Sequence, residues 1–88
     1  MPMEMLPITL YIRPECELCE EARSALRAVL ADSPSPRSIQ EVDIEQDPVL
    51  HRRLFADIPA IEYRGALLAH ATSRLRIQSF LADAESRV

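Results

Sequence analysis

A change in the spacing of apolar residues constrains the fold of this chain more than any other feature. Residues 8–12 are apolar, aromatic or β-branched throughout, which is typical of a strand buried on both faces. From Cys16 onward, apolar residues instead recur every three or four positions and so share one stripe of a helix. The stripe comprises Leu18, Ala22, Leu26, Val29 and Leu30. Residues 38–44 alternate between polar and apolar, which predicts a second, half-buried strand and hence a βαβ unit with parallel strands.

Proline and aspartate mark where the helices end and begin. Pro34 and Pro36 cannot continue the first helix, so this stretch is expected to be a surface loop. Asp47 followed by Pro48 has the form of a helix N-cap with proline at the first helical position. The expected inner face of this second helix comprises Val49, Leu50, Leu54 and Phe55.

The last third of the chain predicts a hairpin and a helix. Residues 58–63 and 66–69 form two strands, and Gly65 between them supplies a positive φ for the turn. Thr72 or Ser73 can cap the last helix, whose expected inward stripe comprises Ile77, Phe80, Leu81 and Ala84. We therefore predict one α/β domain over residues 1–88, with the order β-α-β-α-β-β-α and a four-stranded mixed sheet flanked by three helices.

Composition excludes several function classes. The formal net charge of −4 argues against nucleic acid or an anionic membrane as the main partner. The absence of lysine excludes Schiff-base chemistry and lysine-dependent phosphate loops, and a single glycine excludes glycine-rich nucleotide cradles. Two cysteines cannot form the multi-bridge framework of a small secreted protein, and residues 1–5 lack the pattern of a signal peptide. We therefore expect a cytoplasmic protein.

Cys16 and Cys19 lie one helical turn apart, directly after the first predicted strand. A helix N-terminus offers unpaired N–H groups and a partial positive charge, and both stabilise a thiolate. The thiolate is the nucleophile of thiol–disulfide exchange, and a second thiol in reach can attack the resulting mixed disulfide. We therefore predict that Cys16 attacks and that Cys19 resolves. Cys19 is expected to be the more buried thiol because it lies nearer the apolar stripe.

Negative charge surrounds this pair. The glutamates are Glu15, Glu17, Glu20 and Glu21, and Arg13, three positions before Cys16, is the only cation near the cysteines. Because negative charge disfavours a thiolate, we expect a less acidic nucleophile than in strongly oxidising proteins with a Cys-x-x-Cys motif. A less stabilised thiolate also predicts a more reducing pair.

Three segments of the chain together resemble the glutaredoxins: residues 8–19, residues 57–61 and Gly65 before the last strand. The resemblance covers roughly residues 7–84 and is closest to the short bacterial glutaredoxin-like branch with Leu before the second Cys. It implies a thioredoxin-like fold and thiol–disulfide oxidoreductase activity in cell redox homeostasis. It also implies that Pro59 is cis and faces the cysteines, and that the backbone of Ile58 pairs with the substrate backbone.

The resemblance further implies substrates and the residues that bind them. Protein disulfides or glutathione disulfide are the implied partners, with no bound cofactor and with glutathione as a candidate co-substrate. Arg13 stands where glutaredoxins usually carry a lysine that meets the glutathione carboxylate, and arginine can bind a carboxylate through two hydrogen bonds. Ala69-His70 stands where the family usually has two glycines. Thr72 stands where the family binds glutathione through Asp or Ser-Asp, which makes it an implied substrate-binding residue.

Other interpretations of the cysteine pair stay open from the sequence. The two thiols could be inert. Intrachain zinc needs four ligands, and the soft candidates Cys16, Cys19, His51 and His70 lack zinc-finger spacing. An iron–sulfur cluster shared between two chains occurs in some relatives of the glutaredoxins. A non-catalytic thioredoxin-fold module would instead bind a partner peptide in the groove at Pro59. Our expectation is a monomeric oxidoreductase.

Overall fold

A computed structural model of the protein describes residues 7–32 and 37–86. The strands are β1 (Ile8–Ile12), β2 (Ile39–Asp43), β3 (Ala60–Tyr63) and β4 (Ala66–Leu68). The helices are α1 (Glu17–Ala31), α2 (Pro48–Leu54) and α3 (Arg74–Ser86), and a turn of 3₁₀ helix spans Ile44–Gln46. The loop expected around Pro34 and Pro36 lies outside the described residues. So do residues 1–5, which lack the pattern of a signal peptide.

The four strands form one mixed sheet in the order β2-β1-β3-β4. β1 and β2 are parallel, as predicted for a βαβ unit. β3 is antiparallel to both β1 and β4, so the hairpin forms the other edge of the sheet. The predicted order β-α-β-α-β-β-α and the thioredoxin-like mixed sheet are therefore confirmed.

The main core lies between the sheet and the helices α1 and α3. Its buried side chains come from β1, β3, these two helices and Ala71 before α3, and they include Leu10, Leu26, Ile61, Ile77 and Leu81. A smaller cluster joins α2 to the end of β1 and to the start of α1 and comprises Cys19, Ile44, Leu54 and Ile58. Within the described part of the chain, no helix is both long and apolar enough to cross a bilayer.

Local hydrogen bonds explain where α2 and α3 begin, and one backbone angle explains the hairpin turn. The Asp47 carboxylate accepts from the backbone N–H of Val49 at 2.9 Å, which caps α2 as predicted. The Ser73 hydroxyl oxygen accepts from the N–H of Arg76 at 3.3 Å, so Ser73 rather than Thr72 caps α3. Gly65 has a φ of 84°, which confirms the predicted turn between β3 and β4.

The inner faces predicted for the first two helices were partly wrong. Leu18, Val49 and Phe55 are 52%, 53% and 64% exposed, respectively. Leu18 lies in the first turn of α1 and is not part of either core cluster. α2 has only seven residues and turns a single row, Leu50 and Leu54, toward the core, which leaves Val49 and Phe55 on its flanks. The expectation that β1 is buried on both faces was also partly wrong, since Thr9 and Tyr11, which share one face of the strand, are only partly buried.

Candidate active site

The two cysteines lie at the junction between β1 and α1. Cys16 is the N-cap of α1, and Cys19 lies in the first helical turn. Their sulfur atoms form a disulfide, with the Cα atoms 5.2 Å apart. The Cys16 sulfur also accepts a hydrogen bond from the backbone N–H of Cys19, with 3.1 Å between nitrogen and sulfur. Donation of this kind favours negative charge on Cys16 once the disulfide is reduced.

Burial distinguishes the two sulfur-bearing residues. Cys19 is 2% exposed and packs with Ile44, Leu54 and Ile58 in the smaller core cluster. Cys16 is half-buried at the edge of the same cluster. The expectation that Cys19 is the more buried of the two is therefore confirmed, and Cys16 is the residue that a molecule in solution reaches.

An open cavity of about 450 Å³ lies beside the disulfide. Its lining comprises Ile12, Arg13, Pro14, Glu15, Cys16, Glu17, Cys19, Glu20 and Arg23. The Arg13 side chain is exposed here and forms no hydrogen bond or ion pair with any described residue. The cavity therefore places the Arg13 guanidinium and three carboxylates around the sulfur atoms.

The second arginine of this cavity is engaged in ion pairs. The Arg23 guanidinium donates to Glu20 at 2.5 Å and to both carboxylate oxygens of Glu41 at 2.7 and 2.8 Å. The hydrogen bond from Arg23 lowers the pKa of Glu41 below its ordinary value. Because Glu41 lies on β2, this ion pair ties α1 to the edge of the sheet and leaves Arg23 little capacity for a ligand.

The Ile58–Pro59 peptide bond is cis, as the resemblance implies. Pro59 is fully buried, and Ile58 packs against Cys19. The N–H of Ile58 donates to the carbonyl of Leu54 at 3.1 Å, at the end of α2. The N–H of Ile58 is therefore engaged within the protein.

Thr72 lies apart from the cavity that holds Arg13 and the cysteines. It lines a separate depression of about 350 Å³ between α1 and the start of α3. The other lining residues are Glu21, Ser24, Ala25, Ala28 and Arg74. The structure thus brings Arg13, Cys16 and Cys19 around one cavity, with Ile58 packed behind it, and places Thr72 in the neighbouring depression.

Sequence reasoning missed the hydrogen bond of Tyr11. Its hydroxyl donates to Glu62 at 2.5 Å across the sheet. Burial, and then the hydrogen bond and charge of Glu62, raise the pKa of Tyr11 to about 12. Tyr11 therefore stays a neutral donor at physiological pH. Tyr11 and Glu62 are 51 positions apart in the sequence, so no local pattern predicts their hydrogen bond.

Sequence reasoning also missed the contacts of Arg76. An arginine on an exposed helix face is usually a surface charge without a specific partner. The Arg76 guanidinium instead donates to the backbone carbonyls of His70 at 3.2 Å and Ala69 at 3.4 Å. The only sequence signal is its position in the first turn of α3, and that signal is shared by Arg74.

No group of three His, Cys, Asp or Glu side chains lies close enough to hold a metal ion among residues 7–32 and 37–86. His51 is exposed and stacks on the ring of Phe55, with 6.0 Å between ring centroids. His70 is exposed just after β4.

Comparison with known proteins identifies solved structures with a similar fold. A solved structure of protein XcR50 from X. campestris superposes with a TM-score of 0.72 at 26% identity, covering 86% of this chain and 96% of that one. A solution structure of XcR50 gives a TM-score of 0.69 at 25% identity, covering 89% and 95% of the two chains. A malarial protein shares the fold with a TM-score of 0.65 at 14% identity, over 92% and 98%.

A search of curated proteins finds no match to this chain. The sequence model of the family described as "Glutaredoxin-like domain (DUF836)" matches residues 7–83, which span both cysteines, the cis proline and most of α3. The chain therefore belongs to the glutaredoxin-like domain family.

Proposed function

We propose that the protein is a thiol–disulfide oxidoreductase in which Cys16 attacks and Cys19 resolves. The observation that carries this proposal is the Cys16–Cys19 disulfide at the N-terminus of α1, with one cysteine half-buried and the other 2% exposed. A structural pair needs neither the helix N-terminus nor the difference in exposure. A thiol–disulfide exchange centre uses both features. The helix N-terminus stabilises the attacking thiolate, and the difference in exposure lets one thiol contact the substrate while the other stays in reach to resolve the mixed disulfide.

The reaction exchanges one disulfide for another. The reduced Cys16 thiolate attacks one sulfur of the substrate disulfide, whose S–S bond breaks and whose other sulfur leaves as a thiolate and takes up a proton. Cys19 then loses its proton and attacks the Cys16 sulfur, which forms the Cys16–Cys19 disulfide and releases the second substrate thiol. The substrate gains two electrons and two protons, and the cysteine pair loses them. An external thiol reductant must then restore the dithiol.

Three features support a peptide-like disulfide as the substrate. The Ile58 carbonyl beside the cis proline offers an acceptor for a substrate N–H close to Cys19. Arg13 offers a guanidinium to a carboxylate in the cavity of the disulfide. The Thr72 hydroxyl, in the neighbouring depression, offers a further polar contact. Protein disulfides and glutathione disulfide both present these groups. We propose that the protein acts on them in the cytoplasm as a monomer, with glutathione as co-substrate and no bound cofactor.

The decisive experiment is a redox titration of the pure protein in dithiothreitol buffers, followed by insulin reduction assays. We expect the pair to cycle reversibly. Its reduction potential should lie closer to that of thioredoxin, about −270 mV, than to that of strongly oxidising pairs, about −120 mV. Catalysed insulin reduction would then show that the pair acts on other proteins. A pair that stays locked or does not exchange would favour a non-catalytic module that binds a peptide at Pro59.

The acidity of the Cys16 thiol is a separate prediction. Glu17 and Glu20 line the same cavity, and their negative charge opposes the stabilisation of a Cys16 thiolate by the N–H of Cys19, so we expect a higher apparent pKa than in strongly oxidising Cys-x-x-Cys proteins. The rate of alkylation of the reduced protein against pH measures this value. Glu17→Gln is expected to lower the pKa. Asp83→Asn, which removes an exposed charge from α3, is the matched control and should leave it unchanged. An apparent pKa well below neutrality would refute the prediction.

A further inference from the structure

The backbone on both sides of the Ile58–Pro59 bond is held by one neighbouring loop. This loop, residues 69–71, follows β4 and precedes α3. The N–H of His70 donates to the carbonyl of Asp57 at 3.0 Å, and the N–H of Ala71 donates to the carbonyl of Pro59 at 2.8 Å. The peptide groups that flank the Ile58 carbonyl therefore depend on the position of the 69–71 loop.

The 69–71 loop has a conformation that needs support. His70 has a φ of 53°, in the left-handed region that residues other than glycine adopt at an energetic cost. His70 is exposed, so packing of its side chain does not fix this backbone. Ala71 is fully buried and anchors only one end of the loop. The N–H of Thr72 donates to the His70 carbonyl at 2.9 Å, so any further support for these peptide groups must come from outside the loop.

Arg76 supplies that support from the first turns of α3. Its two terminal nitrogens donate to two consecutive carbonyls, His70 at 3.2 Å and Ala69 at 3.4 Å. The planar guanidinium can satisfy two acceptors at once, which a single ammonium on a lysine cannot do in the same geometry. The helix that carries Arg76 is fixed in turn by Ile77, which is fully buried in the main core.

We propose that Arg76 is a positioning residue for substrate docking. It fixes the 69–71 loop, which in turn fixes the Ile58 carbonyl that receives the backbone of a peptide disulfide. This inference rests on the oxidoreductase function proposed above. It predicts that Arg76 affects substrates with a peptide backbone and leaves the chemistry of the cysteine pair unchanged.

The test compares two disulfides and three variants. With insulin as the probe, Arg76→Ala should raise KM about fivefold to tenfold with little change in kcat, the effect expected from losing one or two hydrogen bonds. Arg76→Lys should fall between Ala and wild type. With bis(2-hydroxyethyl) disulfide, which has no peptide backbone, Arg76→Ala should match wild type. Arg27→Ala is the control, since Arg27 is also exposed on a helix but makes no hydrogen bond to a backbone carbonyl among the described residues.

Three results would overturn this inference, and they differ from a failure of the proposed function. An unchanged KM for insulin in Arg76→Ala would remove the docking role. Equal losses with both disulfides, together with a lower thermal midpoint, would assign Arg76 to stability alone. A KM effect that vanishes at high salt would point to direct charge attraction, because salt screens exposed charges. If wild type reduces neither disulfide, it is the oxidoreductase proposal that fails.

Discussion

Cys16→Ser is expected to abolish disulfide turnover, with kcat/KM for insulin reduced by about a thousandfold or more. A serine hydroxyl stays protonated at neutral pH and is a poor nucleophile toward sulfur. Cys16 is the reachable member of the pair, since Cys19, in the first turn of α1, is only 2% exposed. Beyond Cys16 and Cys19, the sequence contains no cysteine that could replace it. Insulin reduction with dithiothreitol as the electron donor measures the loss.

Cys19→Ser is expected to give a different defect. Cys16 can still attack, but no thiol is in reach to resolve the product, so a mixed disulfide with the substrate accumulates. Intact mass spectrometry after exposure to glutathione disulfide should show one glutathione attached to Cys16. If added glutathione restores turnover of this variant, the protein can use glutathione as its resolving thiol, which tests the co-substrate proposal directly.

The controls for these two variants are stability and role reversal. Both serine variants should unfold at the same temperature as the reduced wild type, because serine and cysteine are similar in size and neither variant can form the disulfide. A Cys16→Ser protein that forms the mixed disulfide through Cys19 would contradict the assigned roles. It would require the first turn of α1 to open, since Cys19 is packed against Leu54 and Ile58.

The parts of this fold that follow from sequence are those whose causes are local. The N-cap at Asp47, the positive φ at Gly65 and the helix start at Cys16 each depend on a few neighbouring residues. The parallel pairing of β1 and β2 follows from the strand–helix–strand order alone. These local signals agree with one another. They determine where α1 begins after β1, and therefore where the cysteines lie.

Helix faces were predicted less well because periodicity does not say how far the partner surface extends. Leu18 continues the stripe of α1 by spacing, yet it lies in the first turn and is 52% exposed. The row that α2 buries consists of Leu50 and Leu54. Val49 precedes this row and Phe55 follows it, and both are exposed. The spacing of apolar residues predicts which face of a helix turns inward, whereas the length of the opposing surface decides how many of its residues are covered.

The contacts that arrange the site are the least visible in the sequence. Tyr11 meets Glu62, Arg23 meets Glu41, and Arg76 meets the carbonyl of His70 only once the chain has folded. Each pair consists of common surface residue types whose partner is set by the sheet order or by the course of a loop. The cysteines could be predicted from their spacing, but the residues that hold the substrate-docking backbone could not.

The second large effect is expected at Leu26, in the middle of α1. Leu26 is fully buried in the core with Leu10, Ile61 and Ile77. Leu26→Ala removes buried methyl groups and leaves a cavity between the helix and the sheet, which is expected to cost about 2–5 kcal/mol of unfolding free energy. A small domain has about 5–15 kcal/mol of stability in total, so this change should lower the urea midpoint steeply without changing the slope.

Leu75→Ala is the matched control, because it makes the same chemical change on α3 at a side chain that is 78% exposed. Its expected effect is within about 0.5 kcal/mol, since few contacts are lost and no cavity forms. Equal destabilisation by the two variants would contradict the packing of α1 against the sheet.

α1 also carries the cysteine pair at its N-terminus, so Leu26→Ala should make the Cys16–Cys19 disulfide more accessible to reduction, and Leu75→Ala should not. The initial rate of reduction by dithiothreitol, measured below the unfolding transition, checks this link between the core and the redox centre.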